Sequence, residues 1–203
     1  MRAMRKPLTP WILALLLLTA LGGLSALLGG QTLSLAAGRP PPAAAANALG
    51  QAPAADGVQV LYVGFTPPQG VAQNIVKAID QAQSEVLVQA YGFTHNAIAQ
   101  AVVRAHRRGL TVHVLLDQKS ESTNRYVIGL FQEAGVSMRM DGAHAIAHNK
   151  VIVIDAQVVV TGSFNFTNSA ETRNAENVLI LRGEGLAKTY RDNWQQHWSH
   201  ARL

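Results

Sequence analysis

From residue 58 onward the apolar positions of the chain switch repeatedly between two periods. "VQVLYVGF" (58–65) and "EVLVQAYGF" (85–93) are dense in β-branched and aromatic residues and predict strands, the second of the buried type. Between them the turn "TPPQG" launches "VAQNIVKAIDQAQ" (71–83), where Val71, Ile75, Ala78, Ile79 and Ala82 fall on one face at helical spacing. "THNAIAQAVVRAHRRG" (94–109) predicts a second helix, closed by basic residues and Gly109. A strand "LTVHVLLD" (110–117), a helix "STNRYVIGLFQEAG" (122–135) and a strand "VSMRM" (136–140) follow. "KVIVID" and "VVVTG" predict a β-hairpin around Asp155-Ala156-Gln157. "AENVLIL" (175–181) is a further strand and "GLAKTYRDNWQQHWSHA" (185–201) an amphipathic closing helix. Strands separated by helical patterns imply an α/β fold with helices on the faces of a sheet. There is no internal repeat.

The first 57 residues follow different rules. "MRAMRKPLTP" carries Arg2, Arg5 and Lys6 and no acid, and the run from Trp11 to Leu28 carries no charge. A basic segment followed by an apolar run is an export signature, and residues 1–37 are read as a signal peptide or an uncleaved signal anchor with a hydrophobic helix. The run approaches the ~20 residues that span a bilayer, which favours an anchor, whereas the small residues of "SLAAG" favour cleavage. Either way the rest of the chain is expected outside the cytoplasm, periplasmic or extracellular, with attachment to the inner membrane as one form of it. "GRPPPAAAANALGQAPAADG" (38–57) reads as an Ala/Pro-rich linker. The domain itself occupies residues 58–203.

Composition changes this picture in two places. The 203-residue chain has no cysteine, which removes disulfides, thiol nucleophiles and cysteine-ligated metals from consideration. An isoelectric point near 9.9 suggests a polyanion partner. Yet Arg2, Arg5, Lys6 and Arg39 precede the domain, and residues 57–203 hold 13 basic against 11 acidic side chains. Preference for phosphate must therefore come from a local site rather than from a global field.

"HNKVIVIDAQVVVTGSFN" (148–165) supplies such a site. Side chains at i and i+2 of a strand share a face, so His148 and Lys150 project together at one end of the hairpin, and Ser163 and Asn165 at its other end. The returning hairpin brings the pairs together. Lysine, serine and asparagine all donate hydrogen bonds to anionic oxygen, and imidazole works as nucleophile or acid near neutral pH. A phosphate diester is the natural guest. His144 and His148 have the i, i+4 spacing of a helical zinc pair, but "HAIAH" lacks the glutamate of H-E-x-x-H and lies in strand-like context, so no metal is assigned. Neither G-x-S-x-G nor a phosphate-binding Gly-rich loop is present.

The stretch fits H-x-K-x(4)-D-x(6)-G-S-x-N at every fixed position and resembles the signature of the phospholipase D superfamily. The resemblance extends over most of residues 58–200, through "YVGFTPPQG", "RRGLTVHVLLD", "GSFNFTNSAETRNAEN" and "NWQQHW". It is greatest to the small single-motif bacterial endonucleases of the Nuc type. It implies the phospholipase D/nuclease-like fold, a mixed β-sheet flanked by helices. It implies that His148 is the nucleophile of a phosphohistidine intermediate, and that Lys150 and Asn165 bind phosphate with support from Ser163. It further implies that Glu176 hydrogen-bonds the second imidazole nitrogen, fixing the tautomer as the acid of a catalytic triad does. Asp155 and Gly162 complete the motif, and the turn position of Asp155 suggests structure rather than chemistry. No cofactor or metal is implied.

Cleavage through a covalent intermediate needs an acid for the leaving oxygen as well as a nucleophile, and this chain carries one motif. His95, His106, His113, His197 and His200 have no matching lysine and are read as surface or packing residues. A homodimer that brings two copies of His148 together meets the requirement, and the resemblance implies the same dimer. The leading expectation is a metal-independent phosphodiester hydrolase, a non-specific endonuclease acting on DNA, with RNA as a further nucleic-acid substrate. A hydrolase of membrane phospholipids is the competing reading. Lys119, Arg125, Arg139 and Arg173 are candidate phosphate contacts flanking the site.

Overall fold

The computed structural model describes residues 57–203 apart from Gln69. The leader (1–37) and, Gly57 excepted, the linker (38–57) expected from the sequence lie outside the described residues. Among the described residues no helix is long and apolar enough to cross a membrane.

Seven strands form one mixed sheet: β1 (Gln59–Thr66), β2 (Glu85–Ala90), β3 (Thr111–Asp117), β4 (Ser137–Asp141), β5 (Lys150–Ile154), β6 (Val158–Gly162) and β7 (Glu176–Arg182). Their order is β1-β7-β6-β5-β2-β3-β4. β2, β3 and β4 are parallel neighbours, joined by helices α2 (Asn96–Arg107) and α3 (Glu121–Ala134). The other pairings are antiparallel. The sequence placed every strand, with β1, β4 and β7 each starting and ending one residue later than expected and β2 ending three residues earlier.

Alternation along the strands sorts the core into two layers. Val86 and Val88 of β2, Val112, Val114 and Leu116 of β3, and Ile152 and Ile154 of β5 pack under α1 (Val71–Asp80), α2 and α3. Val71, Ile75 and Ile79 of α1 recur at i, i+4 and i+8 and are fully buried, which is why that segment forms an amphipathic helix against the sheet. Leu87, Leu115, Val151, Val153 and Val159 point to the opposite face, where α5 (Glu184–His200) covers them with Ala187 and Trp194. The Trp194 ring stacks on Trp198, and its indole N–H donates to the Val88 carbonyl at 3.0 Å, so a large apolar surface is buried without stranding its polar atom. α3 stops at Gly135, whose φ of 72° is the left-handed C-terminal conformation that glycine adopts without strain. A short helix α4 (Asn168–Thr172), capped by the Thr167 hydroxyl on the Ala170 N–H at 3.1 Å, was not foreseen.

Trp194 carries most of the attachment of α5 to its face of the sheet. Trp194→Ala is expected to lower the unfolding free energy by about 3–5 kcal/mol, read from the urea midpoint at unchanged slope.

Candidate active site at one end of the sheet

β2 ends, β5 begins, β6 ends and β7 begins at the same end of the sheet, where Ala90 pairs with Lys150 and Gly162 with Val178. His148 lies just before β5, exposed at the end of the 142–149 loop. Its imidazole rests edge-on against Tyr91, with ring centroids 4.8 Å apart. Lys150 is only 7% exposed, and its Nζ donates to the His148 carbonyl at 2.7 Å and lies 5.7 Å from the Tyr91 ring centre. Burial pushes the Lys150 ammonium below its ordinary pKa, and the nearby Glu176 carboxylate acts in the opposite direction. His148 and Lys150 thus both approach the Tyr91 ring, but with different surroundings: the imidazole is exposed, while the ammonium is buried on the His148 carbonyl.

Ser163 and Asn165 follow β6 and diverge. The Ser163 hydroxyl donates to Glu176 Oε2 at 2.6 Å and accepts from the Asn177 N–H at 3.1 Å. Its proton is therefore committed to Glu176, in a supporting position. Asn174 Nδ2 holds the other Glu176 oxygen at 3.1 Å. Both hydrogen bonds of Glu176 go to these neutral donors, and His148 packs on Tyr91 rather than on Glu176. Asn165 Oδ1 accepts from the Gly92 N–H at 3.3 Å, which leaves its NH₂ group to donate toward a guest.

Gly162 has a steric reason for its identity. Its φ is 151°, and a Cβ there would stand 2.2 Å from the Asn177 carbonyl oxygen. Any larger residue would push β6 away from β7, and with it Ser163 from Glu176.

Asp155 lies at the far end of the hairpin, in the three-residue turn Asp155-Ala156-Gln157, where it and Ala156 both have φ of 53°. Its carboxylate accepts from the N–H groups of Gln83, Ser84 and Glu85 at 2.8–2.9 Å and from the Ser84 hydroxyl at 2.9 Å. It fastens the hairpin to the start of β2, the structural role expected for it. Burial tends to raise its carboxyl, but the hydrogen bonds from Glu85, Gln83 and Ser84 outweigh this and leave the pKa below the ordinary value.

Three residues that sequence reasoning passed over position the site. Asp117, at the end of β3, is 1% exposed and accepts from the Ser120 N–H at 3.0 Å and the Ala147 N–H at 2.7 Å. It therefore pins the residue next to His148. Ser120 Oγ and Asn124 Nδ2 both donate to the Tyr91 carbonyl, at 2.7 and 2.8 Å, and Asn124 Oδ1 accepts from the Phe93 N–H at 2.8 Å. The only sequence signals were a carboxylate ending an apolar strand and an asparagine on the apolar face of α3.

Other expected residues separate. Lys119 and Arg125 are exposed and line one shallow groove, and Arg173 is exposed beyond α4. Arg139 is engaged elsewhere: its guanidinium sits 4.5 Å from the Trp198 ring centre and donates to the Trp198 carbonyl at 2.7 Å. As a candidate phosphate contact it is corrected to a packing residue of α5. His113 packs on Trp194 and Trp198, with a pKa lowered chiefly by burial. His95 is half-buried, and burial likewise lowers its pKa. His144 does not pair with His148 but turns, with His197 and His200, to Asp141.

The family described as cardiolipin synthase, PLD-like domain, matches residues 75–198. A phospholipase D of Rickettsia prowazekii is 42% identical over 130 residues, covering 64% of this chain and 63% of that protein. The mitochondrial cardiolipin hydrolase of Mus musculus is 30% identical over 124 residues, 61% of this chain and 56% of the relative. The phospholipase D family member Nuc from Salmonella typhimurium superposes with a TM-score of 0.69 at 33% identity, over 71% of this chain and 97% of Nuc. The chain belongs to the phospholipase D superfamily, in its PLD-like domain family, and has the Nuc-type mixed-sheet fold. It spans about 63% of the length of the Rickettsia relative.

Because Asp155 has a depressed folded-state pKa, its stabilisation is complete above the unfolded value of ~3.9 and is lost as pH falls through the folded value. Asp155→Asn is expected to cost about 1–2 kcal/mol at neutral pH. Urea titrations at several pH values should show the gap to wild type constant down to about pH 5 and closing below about pH 4.

Proposed function

We propose that the protein is a metal-independent phosphodiesterase, an endonuclease that cleaves DNA and also RNA through a covalent phosphohistidine in a homodimeric active site. The observation that carries this is the convergence of exposed His148, buried Lys150, the donor group of Asn165 and the tethered Glu176 at one end of the sheet. An imidazole nitrogen of His148 attacks phosphorus, and the P–O bond to the leaving group breaks as the P–N bond forms. The second copy of His148 protonates the leaving oxygen, then takes a proton from water as the water's oxygen displaces the first imidazole. Lys150 gives one N–H to a carbonyl and keeps two for phosphoryl oxygens, with Asn165 donating beside it. Glu176 receives the imidazolium charge that develops on His148, across a closer approach than the free chain shows.

The dimer is inferred from the lone motif. The apolar edge strand β1 supports it, since it exposes Val60, Val63 and Phe65 and reaches the site where Thr66 pairs with Glu176. A nucleic-acid substrate is favoured by the open position of His148 and by the near-complete coverage of Nuc. The names of the phospholipase D and cardiolipin hydrolase relatives favour the second reading, a phospholipid phosphodiesterase. The leader read at residues 1–37 is consistent with an exported enzyme under either reading.

The full chain in excess EDTA is expected to nick plasmid DNA and cut single-stranded RNA, and His148→Ala to lose at least about 10³-fold of that activity. Head-group release from phospholipid vesicles with plasmid left intact would replace this reading with the second one. Mixing wild type with increasing His148→Ala chains is expected to reduce cleavage as the square of the wild-type fraction. A linear decline would show that each subunit acts alone.

A further inference from the structure

Three imidazoles converge on a carboxylate that has no role in the proposed chemistry. Asp141 ends β4 with its side chain wholly buried. His197 Nδ1 lies 2.6 Å from Asp141 Oδ2, His144 Nδ1 lies 3.5 Å from the same oxygen, and His200 Nε2 lies 3.3 Å from Oδ1. The imidazole centroids form a triangle with sides of 4.8, 5.4 and 5.4 Å. One ligand atom from each of the four residues falls within 4.8 Å of all the others.

The fold produces this gathering from two short patterns. His197 and His200 are three apart on α5 and share a face of its last turn. Asp141 and His144 are three apart where β4 gives way to the 142–149 loop. A two-way backbone pairing between Met140 and Arg202, at 2.6 and 3.0 Å, clamps the end of the chain to β4 and so sets the helical pair over the strand pair.

We propose that Asp141, His144, His197 and His200 form a binding site for one divalent transition-metal ion of the zinc class. Three imidazole nitrogens and one carboxylate oxygen are a donor set that zinc accepts in tetrahedral geometry, and they are a poor match to magnesium or calcium. With bonds of 2.0–2.1 Å such a site holds its ligand atoms roughly 3.3 Å apart, so the present cluster closes with shifts of about 1 Å. The shifts fall on the two ligands free to make them, since the side chains of His144 and His200 are 48% and 37% exposed while that of His197 is 13%. The second shell is in place as well: the Ala143 N–H donates to Asp141 Oδ1 at 3.0 Å and fixes the orientation of the carboxylate. An ion would give a lone pair of each imidazole and one carboxylate oxygen a common partner.

The ion would act by cross-linking. It joins the last turn of α5 to the loop that presents His148, adding to the bond from Ala147 to Asp117 and that from Lys150 to the His148 carbonyl. It enters no step of the proposed hydrolysis, and the proposal stands whether the substrate is nucleic acid or lipid.

The full chain, stripped with chelator and dialysed, would be titrated with cobalt(II) and then with zinc. One equivalent of cobalt per chain is expected to give the intense visible absorption of a four-coordinate ion, and zinc to abolish that band and raise Tm. His144→Gln and the double variant His144→Gln/His200→Gln are expected to retain the Tm of the metal-free protein and to lose the band and the zinc-dependent rise. His148→Ala is expected to keep both. No stoichiometric band in the wild type overturns the proposal, as does a band that survives in the double variant or disappears in His148→Ala.

Discussion

A carboxylate closed off from water must have its charge answered by protein donors, and Asp117 is answered by backbone N–H groups from two directions, Ser120 and Ala147. That requirement couples the end of β3 to the start of α3 on one side and to the 142–149 loop on the other. Ser120 and Asn124 then carry the constraint to Tyr91, whose ring receives the His148 imidazole. The exposed histidine is thus held through buried groups, Asp117, Ser120 and Asn124. A loop of this length would otherwise sample many positions of its final residues. Here the energetic demand of one buried charge selects among them.

Charge at the site is distributed so that the Lys150 ammonium, the phosphate-binding group under the proposed function, has no carboxylate bonded to it. Glu176 is the nearest carboxylate, and both of its oxygens are occupied by neutral donors, Ser163 and Asn174, rather than by Lys150. The ammonium answers a single carbonyl and a ring face, and burial disfavours its charge. An entering phosphodiester would relieve that cost directly, and in partial burial its Coulomb attraction is screened far less than at the surface. The weak net charge of residues 57–203 agrees with the local recognition that the proposed function requires, and basic residues elsewhere serve other tasks, as Arg139 on Trp198 shows.

The apolar patterning made the sheet and its four principal helices legible, because central strands such as β2 and β5 bury both faces and read as continuous apolar runs, whereas each helix buries only one. α4 escaped because five residues hold too little periodicity to register, and only the Thr167 cap betrays it. The motif residues were legible through spacing, and the role of Asp155 through its position in the hairpin turn. What spacing could not supply was where each side chain turns once the strand ends. Ser163 and Asn165 lie beyond β6, where the i, i+2 rule no longer applies: the Ser163 hydroxyl turns to Glu176, while Asn165 holds the Gly92 N–H with its oxygen and keeps its NH₂ group free. Asp117 and Asn124 were invisible for the opposite reason, since a buried polar residue acquires meaning only from partners remote in sequence. The same holds for Asp141, His144, His197 and His200: two fragments more than fifty residues apart became one cluster through the pairing of Met140 with Arg202.

The place of β1 in the sheet bears on how the molecule is built in time. This strand comes first in the described chain, yet its hydrogen-bonding partner is β7, the last strand, and among the described residues no second strand pairs with it. A ribosome therefore releases β1 long before β7 exists for it to pair with. The sheet cannot close until nearly the whole chain has emerged, and such non-local closure is slow compared with the pairing of β5 and β6 across their three-residue turn. During that interval β1 is an unpaired apolar strand, open to capture by a chaperone or by the β1 of another nascent copy.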